Sequence, residues 1–152
     1  MEDKKLKAIK EITDKLFELL EVKVESKIEK DKEETYHVDI KTEEGGILIG
    51  FHGEILRSIK HFLTLSLFKK FGEWVSVLVD VNDYWVKREE DLKDLARKTA
   101  ERVVATGEPV SLPFLTAAER RIIHLTLSSH PQVSSESEGE GKERRVVVRL
   151  KP

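Results

Sequence analysis

Ile49-Gly50-Phe51-His52-Gly53-Glu54 stands between two apolar helical patterns. Ile47-Leu48-Ile49 precedes it, and Ile55, Leu56, Ile59, Phe62, Leu63, Ser66 and Leu67 follow at helical spacing. Two glycines with two residues between them let the backbone bend tightly and approach a ligand with no Cβ in the way. The amides of the turn then sit at the start of the second helix, where unpaired N–H groups and the helix dipole attract phosphate. The stretch is therefore a candidate grip for a sugar-phosphate chain that does not depend on base sequence. A plain helix-helix turn using glycine for geometry has the same local sequence, so the flanking elements carry weight.

Upstream, Leu6, Ile9, Ile12, Leu16, Leu19 and Leu20 recur at three- and four-residue steps, which predicts an amphipathic helix over residues 3–21. Residues 22–28 and 35–40 alternate at period two around polar residues 29–34, the pattern of two strands and a hairpin turn. Downstream, residues 74–81 predict a third strand, closed by the turn-forming pair Asn82-Asp83. The order α-β-β-α-α-β places the glycine turn between the two central helices and favours the grip.

A second, smaller α+β pattern follows. From Tyr84 a long helical pattern runs through Leu92, Leu95, Ala96 and Val103 until Thr106-Gly107-Glu108-Pro109 stops it. Thr116-Ala117-Ala118-Glu119 has the spacing of a capping box and opens a helix holding Ile122, Ile123, Leu125 and Leu127, up to His130-Pro131. Val133, the polar run 135–143 and Arg144-Arg145-Val146-Val147-Val148-Arg149-Leu150 predict a strand, a polar turn and a closing strand. The expected domains are residues 1–83 and 84–152.

The chain has 152 residues, 27 Lys plus Arg against 29 Asp plus Glu, and no cysteine. Disulfides, iron–sulfur clusters, cysteine zinc sites and a cysteine nucleophile are excluded together, and a reducing cytoplasm suits the chain. No stretch approaches the roughly 20 apolar residues of a membrane span, so no insertion into the membrane is expected. One Asn, one Gln and one Met beside abundant Glu and Lys is the composition of a heat-adapted protein. Gly45 to Gly50 has the glycine spacing of a phosphate-binding loop, but Phe51 and His52 stand where Lys and Ser or Thr are required. H-E-x-x-H and G-x-S-x-G are absent, and the five histidines include no pair at metal-ligand spacing. No enzymatic activity, metal or cofactor is expected.

Charge is unevenly placed. Residues 1–83 carry a net charge of −4 and residues 84–152 a net charge of +2, and Arg57 is the sole arginine of the first part. Arginine's planar fork suits phosphates, so the C-terminal arginine bias points to an anion-reading surface, with ordinary surface ion pairs as the alternative. Arg120 and His124 are four apart, one turn above each other on one helix face, where guanidinium and imidazole can jointly contact a phosphate or an unpaired base. The alternative packs His124 beneath the sheet and uses Arg120 to cap a carboxylate. Arg144, Arg145 and Arg149 on the last strand are expected to extend the same cationic surface. At period two, Arg145 and Arg149 share one side while Arg144 faces the other.

The α-β-β-α-α-β order with Ile-Gly-x-x-Gly between its central helices resembles a type II KH domain, a fold that binds single-stranded RNA or DNA. Glu119-Arg120-Arg121-Ile122-Ile123-His124 resembles the signature of the Arg-three-His single-strand-binding domain, and Ser137-Glu138-Gly139 with Arg144-Arg145-Val146-Val147-Val148 resembles its ending. A KH domain joined to an Arg-three-His domain is the arrangement of the bacterial Jag (SpoIIIJ-associated) family. Asp80-Val81-Asn82-Asp83-Tyr84 and Lys87-Arg88-Glu89-Glu90 also look like that family, so the resemblance extends over residues 22–150.

The resemblance implies a cytoplasmic regulator of transcripts linked to cell-envelope growth or to membrane-protein insertion. Its ligand would be single-stranded RNA, with single-stranded DNA as the other candidate, clamped by the amides of Gly50, Phe51, His52 and Gly53. Arg120, His124, Arg145 and Arg149 would add contacts. A homodimer, or a heterodimer with another KH protein, is implied as well, and an adaptor using the KH half as a dimer surface is the alternative function. Family members usually carry a basic residue inside the glycine pair. Phe51 and His52 supply a ring and a titratable imidazole instead, so the grip should be weaker. Packing of Phe51 against the protein is expected in preference to stacking on a base. Because the helix over residues 3–21 lies so near the start, the separate N-terminal domain that many members carry is not expected here.

Overall fold

A computed structural model describes residues 3–152, which divide into two compact units between Tyr84 and Trp85. In the first unit, α1 (Lys4–Leu19) starts where the Asp3 carboxylate accepts the backbone N–H groups of Lys5 and Leu6, satisfying two of the helix's orphan donors. Strands β1 (Glu25–Lys30) and β2 (Tyr36–Lys41) form an antiparallel hairpin. Its turn closes through Asp31, whose carboxylate accepts from the Glu33 and Thr35 amides. Short helix α2 (Gly45–Ile49), the glycine turn and long helix α3 (Glu54–Phe71) carry the chain to β3 (Val77–Val81), which runs parallel to β2. The element order α-β-β-α-α-β is that expected of a type II KH domain, and the strands lie in the order β1-β2-β3.

The inward positions of β2 and β3 follow period two: Tyr36, Val38 and Ile40 with Val77, Val79 and Val81. Helix α3 lays Leu56, Ile59, Leu63 and Leu67 against them, three and four residues apart. Helix α1 departs from its expected stripe. It buries Ala8, Ile9, Thr13 and Phe17, flanked by half-buried Leu6, Ile12 and Leu16, while Leu19 is 70% exposed and Leu20 is exposed too. Periodicity finds the apolar side of a helix but not how far along it the sheet reaches. On α3, Ile55 and Phe62 likewise face outward.

In the second unit, α4 (Tyr84–Thr106) ends at Gly107, whose positive φ of 74° lets its amide bond back to the Val103 carbonyl. Strand β4 (Val110–Ser111), which the sequence did not announce, pairs with β6 (Arg145–Leu150). Helix α5 (Ala117–Leu127) opens on a complete capping box. The Thr116 hydroxyl accepts the Glu119 amide at 3.3 Å, and the Glu119 carboxylate accepts the Thr116 amide at 3.0 Å. Strand β5 (Val133–Glu138) takes residues 135–138 out of the expected polar turn and pairs them antiparallel with β6, giving the order β4-β6-β5. Leu92, Ala96, Val103, Ile123, Leu127, Val146 and Val148 lie in the core of this unit.

Candidate nucleic-acid interface

The glycine turn is a backbone device. Gly50 (φ 70°, ψ −171°) and Gly53 (φ 77°, ψ 18°) both have positive φ, and His52 between them is left-handed as well (φ 53°, ψ 30°). A Cβ on Gly50 would collide with the Ile55 side chain and stand 3.1 Å from the Ile55 backbone nitrogen. Two of the four amides expected to clamp a strand serve the turn itself. The Gly50 N–H donates to the Gly46 carbonyl at 3.1 Å, and the Gly53 N–H reaches the Gly50 carbonyl at 3.4 Å. Gly53 is also buried. The glycines therefore shape the loop, and their two amides are committed to it.

The rim of the loop carries Phe51. Its side chain is 65% exposed and touches the His52 ring edge-on, with centroids 4.0 Å apart. Packing in the interior, the expected fate of this ring, is not what the structure shows: most of the side chain is open to solvent. Arg57 is absent from the residues that the sequence pointed to, although it lies four residues after Gly53. Its Nη1 donates to the His52 carbonyl at 2.8 Å, and the side chain is otherwise exposed. Its position one helical turn into α3, beside the glycine pair, was the available signal. Glu54 in the first turn of α3 places an exposed carboxylate at the same helix start, which opposes an anion there.

In the second unit, Arg120 and His124 share one face of α5. Among the described residues Arg120 caps no carboxylate; its Nη1 donates to the Leu115 carbonyl at 2.8 Å. The arginine that meets the Glu119 carboxylate is Arg88, whose Nε lies 2.7 Å from Oε1. His124 is half-buried with both ring nitrogens engaged, Nδ1 with the Ser135 hydroxyl at 2.7 Å and Nε2 with the Ser137 hydroxyl at 2.8 Å. A direct phosphate contact by a ring nitrogen would have to displace a serine.

The last strand corrects the expected cationic surface. Cross-strand partners Ser134 and Arg149, Glu136 and Val147, and Glu138 and Arg145 share one sheet face. Ser135 and Ser137, with Val148 and Val146, share the other, which carries His124. Arg145 and Arg149 are thus on the face away from His124. Arg149 sits 2.9 Å from Glu138 and 3.7 Å from Glu136, and Arg145 donates to the Lys142 carbonyl at 2.6 Å with its guanidinium 5.5 Å from the Phe114 ring centroid. Arg144 is the arginine on the His124 side, since its extended backbone (φ −65°, ψ 128°) continues the alternation. Among the described residues no group of three or more acidic or histidine side chains could hold a metal ion, and no helix is long and apolar enough to cross a membrane.

Residues 7–79 match the KhpA/KhpB KH domain family, and residues 90–150 match the Arg-three-His domain family. The chain is 31% identical over 151 residues to the RNA-binding protein KhpB of Clostridium symbiosum, covering 99% of this chain and 67% of that protein. It is 36% identical over 120 residues to the RNA-binding protein KhpB of Bacillus subtilis (strain 168), covering 78% and 58%. The same-named protein of Lactiplantibacillus plantarum is 34% identical over 114 residues, and this chain spans 35% of its length. With a KH fold around the glycine turn, an Arg-three-His face on α5 and these relatives, the chain belongs to the KhpB (Jag) family.

Proposed function

We propose that this protein binds single-stranded RNA and catalyses no reaction. The observation that carries the proposal is Phe51, an exposed ring held on the rim of a left-handed glycine turn at the start of α3. Base stacking on such a ring tolerates any sequence, and it needs the base to be unpaired. Arg57 beside the turn and Arg120 on α5 supply phosphate contacts, and the relatives' name, RNA-binding protein, supports the choice of ligand. By resemblance we extend the proposal to a cytoplasmic regulator of transcripts linked to cell-envelope growth.

Titration of a labelled single strand at several salt concentrations, beside a duplex of equal length, tests it. Tighter single-strand binding with a shallow salt slope is expected, because residues 1–83 carry a net charge of −4. Equal or tighter binding to the duplex overturns it.

A second reading has its own observation. Ile55, Phe62, Leu65 and Phe68 are exposed along α3, and Phe68 stacks on exposed Trp74 with ring centroids 4.4 Å apart. A face of that kind suits an adaptor that dimerises through its KH half. Replacing Phe51 and His52 together by Asp separates the readings. The change repels phosphate and leaves the α3 face intact, so undiminished RNA binding would favour the adaptor.

A further inference from the structure

Ser135-Glu136-Ser137-Glu138 looks like solvent-exposed turn sequence, yet pairing with β6 makes it a strand whose two side-chain types are sorted to opposite faces. Glu136 and Glu138 go to one face, where Arg149 meets both. Ser135 and Ser137 go to the other, where each hydroxyl meets one nitrogen of the His124 ring. That second face has no carboxylate from β5, and β6 contributes only the apolar Val146, Val148 and Leu150 to it. Arg120 stands one turn before His124 on α5, and alternation along β6 puts Arg144 at its edge on the same side. Arg120 and Arg144 each donate to a backbone carbonyl, of Leu115 and Gly139 respectively, and pair with no carboxylate among the described residues.

Counting protons shows what the serines have left over. A neutral imidazole carries one N–H and one lone pair, so one serine donates to the ring and the other accepts from it. The accepting serine keeps its own O–H for a further acceptor. An imidazolium donates twice, and both serines then keep their protons. In either state at least one hydroxyl proton is left to donate, from a half-buried position that solvent reaches, and no acceptor other than His124 is placed for it among the described residues.

We propose that Ser135 and Ser137 bind a phosphate of a single-stranded nucleic acid together with Arg120, and that His124 is a positioning residue that holds the two hydroxyls in place. The proposal rests on the reading that the second unit contacts nucleic acid. It assigns phosphate recognition there to neutral donors beside one cation, which suits a chain with little net positive charge.

The test is binding of a labelled single-stranded oligouridylate by the full chain across a salt series. The Ser135→Ala/Ser137→Ala double variant should bind about tenfold more weakly, the size expected for hydrogen bonds to a charged group. Its salt slope should be unchanged, because a hydroxyl displaces no counterion. Arg120→Gln should weaken binding and also reduce the slope by about 0.7. His124→Ala should weaken binding with the slope unchanged; a reduced slope would make His124 itself a cationic contact and overturn its positioning role. The Ser135→Thr/Ser137→Thr variant keeps both hydroxyls and should bind like the parent. If the Thr and Ala variants are equally impaired, packing explains the loss and the assignment fails. If the Ala variant binds like the parent while Arg120→Gln is weakened, the serine assignment fails and nucleic-acid contact by this unit stands. If neither variant is weakened, both fail.

Discussion

Arg88 on α4 donates from Nε to Glu119 Oε1 at 2.7 Å, while Oε2 of the same carboxylate accepts the Thr116 backbone N–H at 3.0 Å. One carboxylate thus closes the capping box of α5 and ties that helix to α4. The Glu119 side chain is only 8% exposed, so its charge depends on Arg88 for compensation.

Removing one partner of such a pair takes the ion pair away from a buried charge. Arg88→Met is expected to destabilise the second unit by about 3–5 kcal/mol. Glu119→Gln should cost less, because the amide oxygen can still accept the Thr116 N–H. Urea unfolding followed by the loss of helical circular dichroism checks the ranking, and equal stability of Arg88→Met and the parent would refute it.

Gly46 and Gly50 are four residues apart and should respond to alanine in opposite directions. Gly50 has positive φ, and its Cβ would strike Ile55, so Gly50→Ala should destabilise by about 1–3 kcal/mol and disturb the turn that presents Phe51. Gly46 lies inside α2 with nothing within 4 Å of a built Cβ, so Gly46→Ala should stabilise by about 0.5–1 kcal/mol. Thermal unfolding of the two variants is the comparison.

Phe51→Ala removes an exposed ring and no charge. Affinity for a single strand should fall by about 1–3 kcal/mol, the worth of one base stacked on an aromatic side chain, with the salt slope and the melting temperature nearly unchanged. Arg57→Gln should instead lower the slope by about 0.7. A Phe51→Ala variant that binds like the parent would remove the ring from the interface.

The Tyr36 hydroxyl donates to the Asp3 carboxylate at 2.7 Å, linking β2 to the N-cap of α1. The bond holds Asp3 below the usual carboxylate range, with help from the Leu6 and Lys5 amides and Lys30. Burial, then the bond to Asp3, pushes Tyr36 above the usual phenol range. Asp3, with its depressed value, contributes stability that is present above its unfolded pKa and is lost as pH falls through its folded one. Tyr36, with its raised value, contributes stability that is present below its unfolded pKa of about 10 and is lost as pH rises through its folded one. Tyr36→Phe should therefore lower stability at neutral pH, and the gap from the parent should narrow at both acid and alkaline extremes. Urea midpoints at pH 3, 7 and 11 measure it.

Much of the fold was legible because its signals are local. The alternation through residues 36–40 and 77–81 marks strands, Thr116 and Glu119 mark the start of α5, and Gly107 with Pro109 marks the end of α4. Strand β5 was hidden from residue 135 onward because alternating hydroxyls and carboxylates carry no apolar side to reveal period two. Its pairing with β6, from Ser135 opposite Val148 to Glu138 opposite Arg145, identifies it. The site divided in the same way. Spacing alone placed Arg120 one turn from His124, and Arg145 and Arg149 together on one side. Which side of the sheet α5 would cover depends on packing, and packing put His124 against Ser135 and Ser137.

By itself the amino-acid sequence determined the element order of the first unit, the glycine turn, the capping box and the kinship of the chain, because each is written in residues close together along the backbone. The tertiary structure alone decided that the amides of Gly50 and Gly53 serve the turn, that Phe51 stands in solvent, and that two serines hold His124. Those outcomes depend on which surfaces meet, and residue spacing carries no information about a partner distant in the chain.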